Sequence, residues 1–388
     1  MAANVYHADL SANRKRNVLS KVGQLFDLLD PEHKFAPRDL IAVKIHFGEA
    51  GNTAGIRPQL VRQVIKRLHD IKAKPFLTDT NTLYVGSRTE AHTHLITAFD
   101  NGFTREVTGA PVIIADGLRG NNSADVVFRG NHIQRAHLAA DIYYADGLVV
   151  ISHFKGHELA GFGGAIKNLG MGCASRAGKL EQHSNISPKI SKKKCIGCGE
   201  CTVWCRGRAI MVEGEGRARK ARINPENCVG CAECILACKQ GAIAIQWNES
   251  IPTFMEKMVE YAAAAVQNKR EKVLFLTFIT DVSPLCDCYP FSDSPIVPNL
   301  GILASTDPVA IDAAAADLVN QAPSNPCSKV FERVLQGEDK FKALFPEIDW
   351  RHQLSYAEKL GLGTTKYTLL DLDKALQEHS RDSSNVES

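Results

Sequence analysis

Eight of the chain's twelve cysteines stand in two runs, CIGCGECTVWC from Cys195 to Cys205 and CVGCAECILAC from Cys228 to Cys238. Each run reads C-x2-C-x2-C-x3-C, a spacing that holds cubane iron–sulfur clusters, with the fourth cysteine of each run serving the other cluster. Three thiolates that reach three corners of one small cube must come from one tight loop. Gly197, Gly199, Gly230 and Ala232 leave the backbone free to curl there. The spacing predicts one [4Fe–4S] cluster on Cys195, Cys198, Cys201 and Cys238 and another on Cys228, Cys231, Cys234 and Cys205. Zinc is the competing metal, because paired C-x2-C also makes zinc ribbons. Zinc uses two pairs of ligands, whereas here a four-cysteine run recurs with a matching tail, RGRAIMV and KQGAIAI.

Ferredoxin-type runs of this kind usually continue with Pro, but Arg206 and Lys239 follow the fourth cysteines here. A cation beside a cluster favours its more negative reduced state, which predicts potentials above those of acidic ferredoxins. Between Ser191 and Trp247 ten Lys/Arg face five Asp/Glu. Most of these charges read as solvated surface, and they leave room for a basic face that docks a small acidic electron carrier of the ferredoxin or flavodoxin type.

A second concentration of chemistry is HFKGHELAGFGGAIKNLGMGCASRAGKLEQH, from His153 to His183. Its glycines do not complete a dinucleotide fingerprint, since Ile166 occupies the third glycine position, and no Ser or Thr follows Lys179 as a phosphate loop requires. What remains is His157, His183 and Lys167 around a turn of Gly161, Gly163 and Gly164, which is read as a cofactor-binding loop. A lysine in such a partly desolvated turn is expected to have a lowered pKa and to act as nucleophile or tether, and neutral imidazoles to shuttle protons or bind metal. His153 reads equally as a satisfied core histidine. Cys286 and Cys288, in CDC, are expected to face the same cleft as Cys173, as a third metal site, a redox-active pair or inert packing. Cys327 reads as structural.

Elements must bring these residues together. Apolar runs such as LIAVKI, KPFLTD, DGLVVIS, KVLFLTFI and NLGILAS alternate with helical stretches such as RPQLVRQVIKRLHDI and DPVAIDAAAADLVNQ. That alternation predicts an α/β fold with a mostly parallel sheet. The expected organisation is a discontinuous framework, 1–190 and 250–370, forming a cleft, an inserted two-cluster ferredoxin-type α+β module over 191–247, and a frayed tail over 371–388. Sites gather beyond the carboxyl ends of parallel strands. The residues after five runs are therefore singled out: His46, Gly48 and Glu49; Asp79, Thr80 and Asn81; His153, Lys155 and His157; Asp281, Cys286 and Cys288; Thr306 and Asp307. His46 and Asp79 join the catalytic candidates, whereas Asp307, before Pro and an alanine-rich stretch, reads as a helix cap.

A formal charge of +3 and the lack of basic runs interleaved with aromatics argue against a nucleic-acid partner. No segment approaches the about 18 apolar residues of a membrane span, the start lacks an apolar signal core, and the cysteines do not form a secreted disulfide framework. A cytoplasmic protein that keeps clear of membranes is expected.

Taken in order, VKIHFGEAGN, DTNTLY, HFKGHELAGFGGAIKNLGMG, AGKLEQH, the two cysteine runs, CDC and GILASTDPVAIDAAAADL resemble the iron–sulfur proteins of domain of unknown function family 362. The resemblance covers nearly the whole chain and implies no particular reaction. More distantly, His157, Ala160-Gly161, Lys167 and His183 are similar in spacing to the nickel-pincer lactate racemase family. That similarity implies a lactate-racemase-like framework, in which the lysine tethers a pyridine-derived nickel cofactor and the histidines bind metal and move protons. Ala165-Ile166 before the lysine, and the cysteine runs after His183, depart from that pattern.

Together these readings predict an iron–sulfur oxidoreductase that passes electrons from the carrier through two [4Fe–4S] clusters to a small organic substrate or cofactor in the cleft, with a further metal or organic cofactor as an option there. A non-enzymatic electron-transfer subunit docking a partner enzyme, and a racemase-like hydride-transfer enzyme with a lysine-tethered cofactor, are the alternatives.

Overall fold

The computed structural model describes residues 2–14 and 16–377. Eight strands form one sheet: β1 (Ala3–Ala8), β2 (Leu40–Ile45), β3 (Lys74–Asp79), β4 (Val112–Ile114), β5 (Gly147–His153), β6 (Val273–Ile279), β7 (Gly301–Ser305) and β8 (Tyr367–Asp371). They lie in the order β8-β1-β7-β6-β5-β2-β3-β4. β7 runs antiparallel to both neighbours, and the remaining pairs are parallel. The sheet is thus mostly parallel, and its strands come from both sides of the cysteine runs.

β5 and β6 are buried at every position, because helices cover both faces of the sheet. Val149, Ile151, Leu274 and Leu276 point into one core with α1 (Val18–Asp27) and α2 (Pro58–Asp70). Leu148, Val150 and Phe275 point into the other, with α3 (Ala165–Gly170), α5 (Ile251–Val266) and α6 (Pro308–Gln321). α4 (Arg176–His183) follows α3 after a short turn.

The reversed direction of β7 corrects one reading. Thr306 and Asp307 leave the sheet at the edge opposite the ends of β2, β3, β5 and β6, so they cannot share a site with them. Asp307 instead caps α6, accepting the N–H groups of Val309 and Ala310 at 2.8 and 2.9 Å.

Lys189–Ile190 pairs with Ile243–Ala244, which brings the two ends of the cysteine-rich segment together. Between them a hairpin, Ile210–Glu213 against Lys220–Ile223, and two short helices enclose a small core. That core joins Cys195, Cys201 and Cys234 to Leu83 and Leu180 of the α/β framework.

The frayed tail also needs correction. Residues 372–377 are helical, with Leu372 and Ala375 buried in the same core as α1 and α2, while the rest of the expected tail, 378–388, lies outside the described residues. Among the described residues no helix is long and apolar enough to cross a membrane.

Candidate active site

The carboxyl ends of β2, β3, β5 and β6 open onto a cavity of about 380 Å³ that Lys44, His46, Asp79, Lys155, His157, Lys167, His183, Cys286 and Cys288 all line. All seven residues proposed as catalytic from sequence reach it: His46, Asp79 and His157 from three different strands or strand ends, Cys286 and Cys288 from one loop, and Lys167 and His183 from α3 and α4.

Lys44 of β2 and His46, the residue just past its end, stand two residues apart, and both line the cavity. Lys44 pairs with Asp79 at 2.9 Å and donates to Asn168 Oδ1 at 2.8 Å. Arg88 reaches Asp79 at 3.4 Å and Glu49 at 3.3 Å from a fully enclosed position. Burial opposes ionisation of Asp79, but Lys44 and then the His94 side chain outweigh it and hold the carboxyl well below its usual range. Asp79 is therefore a fixed counter-ion and not a free base. His46 accepts the Gly48 N–H on Nδ1 at 3.1 Å, and burial, with Arg88 beside it, keeps the ring neutral.

β5 ends in His153, whose Nδ1 lies 2.9 Å from both oxygens of Asp287 and whose Nε2 lies 2.8 Å from the Thr280 carbonyl. It is a satisfied core histidine. Lys155 also binds Asp287, at 3.0 Å. His157 accepts the Leu159 N–H on Nδ1 at 3.2 Å. Burial, then the positive charge of Lys167, pushes its pKa well below the imidazole range. His183 lies on Phe254 with 4.8 Å between ring centres and meets the edge of Trp247, and burial lowers its pKa to about 3.

Lys167 sits in the first turn of α3, and that helix is held by Asp312 of α6, whose carboxylate accepts the N–H groups of Ala165 and Ile166 at 2.6 and 2.9 Å. The three glycines make room for the protein's own groups. A Cβ on Gly164 would meet Asp312 Oδ1 at 2.2 Å, and one on Gly163 would approach the Lys167 stem at 3.1 Å. Gly161, at φ +76°, passes under Trp350 and does not line the cavity, so its assignment to cofactor binding is corrected.

Lys167 Nζ lies 3.8 Å from Cys286 Sγ. Burial lowers the lysine pKa, but Cys286 and Cys288 more than reverse this, so the expected lowered pKa gives way to a raised one. Lys167 is an ammonium ion here, not a nucleophile. For Cys286, the hydrogen bond from Cys288 and the Lys167 charge bring the pKa down to about 5 against the opposing effect of burial, while Cys288 is pushed well up. Cys173 is not with them. It lies in the sheet–helix core against the Asn168 carbonyl, because the turn after α3 points it away from the cavity. Among the described residues no three His, Cys, Asp or Glu side chains are placed to hold a metal ion, so the expected third metal site on Cys173, Cys286 and Cys288 has no ligand set.

The cysteine runs frame two smaller cavities. Cys195, Cys198, Cys201 and Cys238 line one, and Cys205, Cys228, Cys231 and Cys234 line another, each of about 20 Å³. Each cavity thus takes three cysteines from one run and the last cysteine of the other. Arg206 is not a bare cation beside them, since Glu233 pairs with it at 2.7 Å and weakens the expected upward push on potential.

Several site residues escaped the sequence reading. Lys44 was signalled by a charge inside the apolar run LIAVKI, and Asp312 by a lone carboxylate in AIDAAAADL. Arg88 and Phe254 carried no local signal.

Fold and site define an α/β protein with a cation- and histidine-lined cavity at the carboxyl edge of a mostly parallel sheet. A family model described as a domain of unknown function, DUF362, matches residues 41–317, and the chain belongs to that family. The lactate racemase apoprotein from Thermoanaerobacterium thermosaccharolyticum is similar over 72% of this chain and 51% of that one, at 14% identity and a TM-score of 0.34. A protein from Thermotoga maritima is similar over 70% and 51%, at 11% identity and a TM-score of 0.36. The chain thus spans about half the length of each. Among curated proteins nothing matches.

Proposed function

We propose that the protein is an iron–sulfur oxidoreductase in which two [4Fe–4S] clusters, held by Cys195, Cys198, Cys201 and Cys238 and by Cys228, Cys231, Cys234 and Cys205, serve a small organic oxyanion or carbonyl compound bound in the main cavity. The observation that carries this reading is the crossed partition of the eight thiols around two cavities. Bound clusters would each supply one electron at a time from a small carrier protein. Leu83 supports their connection to the site, because it lines the main cavity and packs in one small core with Cys195, Cys201 and Cys234.

The chain's own residues favour an oxygen-rich ligand. Lys44, Lys155 and Arg88 already face carboxylates, whereas Lys167 faces sulfur. In a neutral imidazole one nitrogen accepts and the other donates. His46 and His157 accept backbone N–H groups on Nδ1, so their protons sit on Nε2 as donors. A partly desolvated ammonium and neutral N–H donors bind and polarise a carbonyl or oxyanion.

Protein purified without oxygen is expected to contain about eight iron and about eight acid-labile sulfide per chain, the content of two such clusters. Cys201→Ala should remove about half. Stoichiometric zinc without sulfide would refute the reading.

A further inference from the structure

We infer that Cys286 and Cys288 form a reversible internal disulfide, a two-electron couple at the floor of the main cavity. Three geometric facts carry this. First, the Tyr289 N–H donates to the Cys286 carbonyl at 3.1 Å, closing a β-turn in which the two cysteines are first and third. A β-turn keeps its first and fourth Cα atoms within about 7 Å. Its first and third are thereby drawn into the roughly 4.4–6.8 Å that a disulfide spans. Secondly, both side chains line the cavity, while Asp287 between them turns the other way and is anchored by His153 and Lys155 at 2.9 and 3.0 Å. The anchor fixes the turn and leaves the two sulfurs on the same side. Thirdly, Lys167 stands 3.8 Å from Cys286 Sγ, where it stabilises a thiolate.

A thiolate of an external dithiol attacks the half-buried Cys288 Sγ, the S–S bond breaks, and Cys286 leaves as a thiolate beside Lys167. The second external thiolate then displaces Cys288, which takes up a proton. The external dithiol is oxidised to its disulfide and the pair receives two electrons. A supply of those electrons as one from each of two clusters rests on the function proposed above, but the couple itself does not. The hydrogen bond from Cys288 to Cys286 accords with a reduced pair in the structure. With no third ligand beside them among the described residues, the sulfurs are free for exchange.

The test uses the full chain with Cys327→Ser, because trypsin leaves Val273–Lys329 as one peptide containing Cys286, Cys288 and Cys327. The protein is equilibrated without oxygen in buffers of reduced and oxidised dithiothreitol, quenched in acid, alkylated and mapped by mass spectrometry. Cys286 and Cys288 are expected to lose their alkylation together in oxidising buffer and regain it together in reducing buffer. Adding Cys288→Ser should abolish the transition while leaving Cys286 quickly alkylated at neutral pH. Lys167→Gln should shift the equilibrium toward the disulfide by about tenfold, or ~30 mV for a two-electron couple. Two thiols that stay alkylatable in the most oxidising buffer, or Cys286 paired with another cysteine, overturn the inference. The equilibrium is also read in Cys201→Ala protein. If it persists there while iron and sulfide analysis fails, the proposed function has failed and the couple has not.

Discussion

Replacing Gly164 by Ala tests whether the Lys167 helix is seated by direct contact with Asp312. The added Cβ would lie 2.2 Å from Asp312 Oδ1 and 2.7 Å from its Cγ, well inside contact distance. Asp312 has little room to retreat, because it is enclosed and its two oxygens hold the Ala165 and Ile166 N–H groups at 2.6 and 2.9 Å. Overpacking of this kind costs about 1–3 kcal/mol. Loss of one buried N–H partner adds about 1–3 kcal/mol. The lower entropy of an unfolded alanine returns only about 0.4–1 kcal/mol, so a net loss of about 1–5.5 kcal/mol is expected. Gly55→Ala is the control, since nothing lies within 4 Å of its Cβ and its φ is ordinary. Urea unfolding of the two variants gives the stability difference, and the alkylation rate of Cys286 at neutral pH reports whether Lys167 has moved. A Gly164→Ala protein within about 0.5 kcal/mol of the control, the usual spread of inconsequential substitutions, with unchanged Cys286 reactivity, would refute this account of the seat.

Two further outcomes follow from buried charge. His183 titrates near 6.5 when unfolded but at about 3 when folded, so the unfolded chain binds more protons on acidification and stability falls from about pH 6.5 downward. At pH 5 the loss is about 2 kcal/mol. Asp312 acts in the opposite direction, because burial raises its pKa to about 7 and stability contributed by its protonated form is lost as pH rises from about 4 to 7. The two effects nearly cancel in the wild type, so urea midpoints at pH 7 and 5 should separate only in variants: His183→Gln gains relative stability at pH 5, and Asp312→Asn gains it at pH 7. Parallel profiles for both variants would contradict the assignments. Arg88→Met, which strands Glu49 and part of the charge on Asp79, is expected to lose about 3–5 kcal/mol by urea unfolding, with part of the loss recovered in the double variant with Glu49→Gln.

The sheet was legible because its strands carry their evidence locally. VLFLTFI and GLVVIS are continuous apolar runs, as expected for strands covered on both faces, and the stretches between them have helical period. Strand direction was not legible in the same way. NLGILAS reads like its neighbours, yet it enters the sheet in reverse between β1 and β6, which moves Thr306 and Asp307 to the far edge. No residue in that run distinguishes the two directions, because the side chains that decide it are on strands some 30 and 300 positions away. The cysteine runs are the opposite case: the spacing within each run is local, so three of the four thiols at each small cavity come from one run and only the fourth from the other.

Lys167 shows why the site's chemistry was harder to read than its location. Its glycine-rich turn correctly marked it as cavity-lining, and burial does act to lower its pKa, as the local sequence led one to expect. The sign reverses because Cys286 arrives 3.8 Å away from a loop 119 residues later, on the strand adjacent to the one that precedes Lys167. Lys44 and Asp79 are likewise joined across neighbouring strands, and Lys155 meets Asp287 from the loop that follows β6. Each partner alone would be an unfavourable buried charge, and only the order of the parallel strands turns it into half of a pair. Residue types at strand ends therefore foretell where a site forms, while protonation and hence reactivity are fixed by which strands become neighbours.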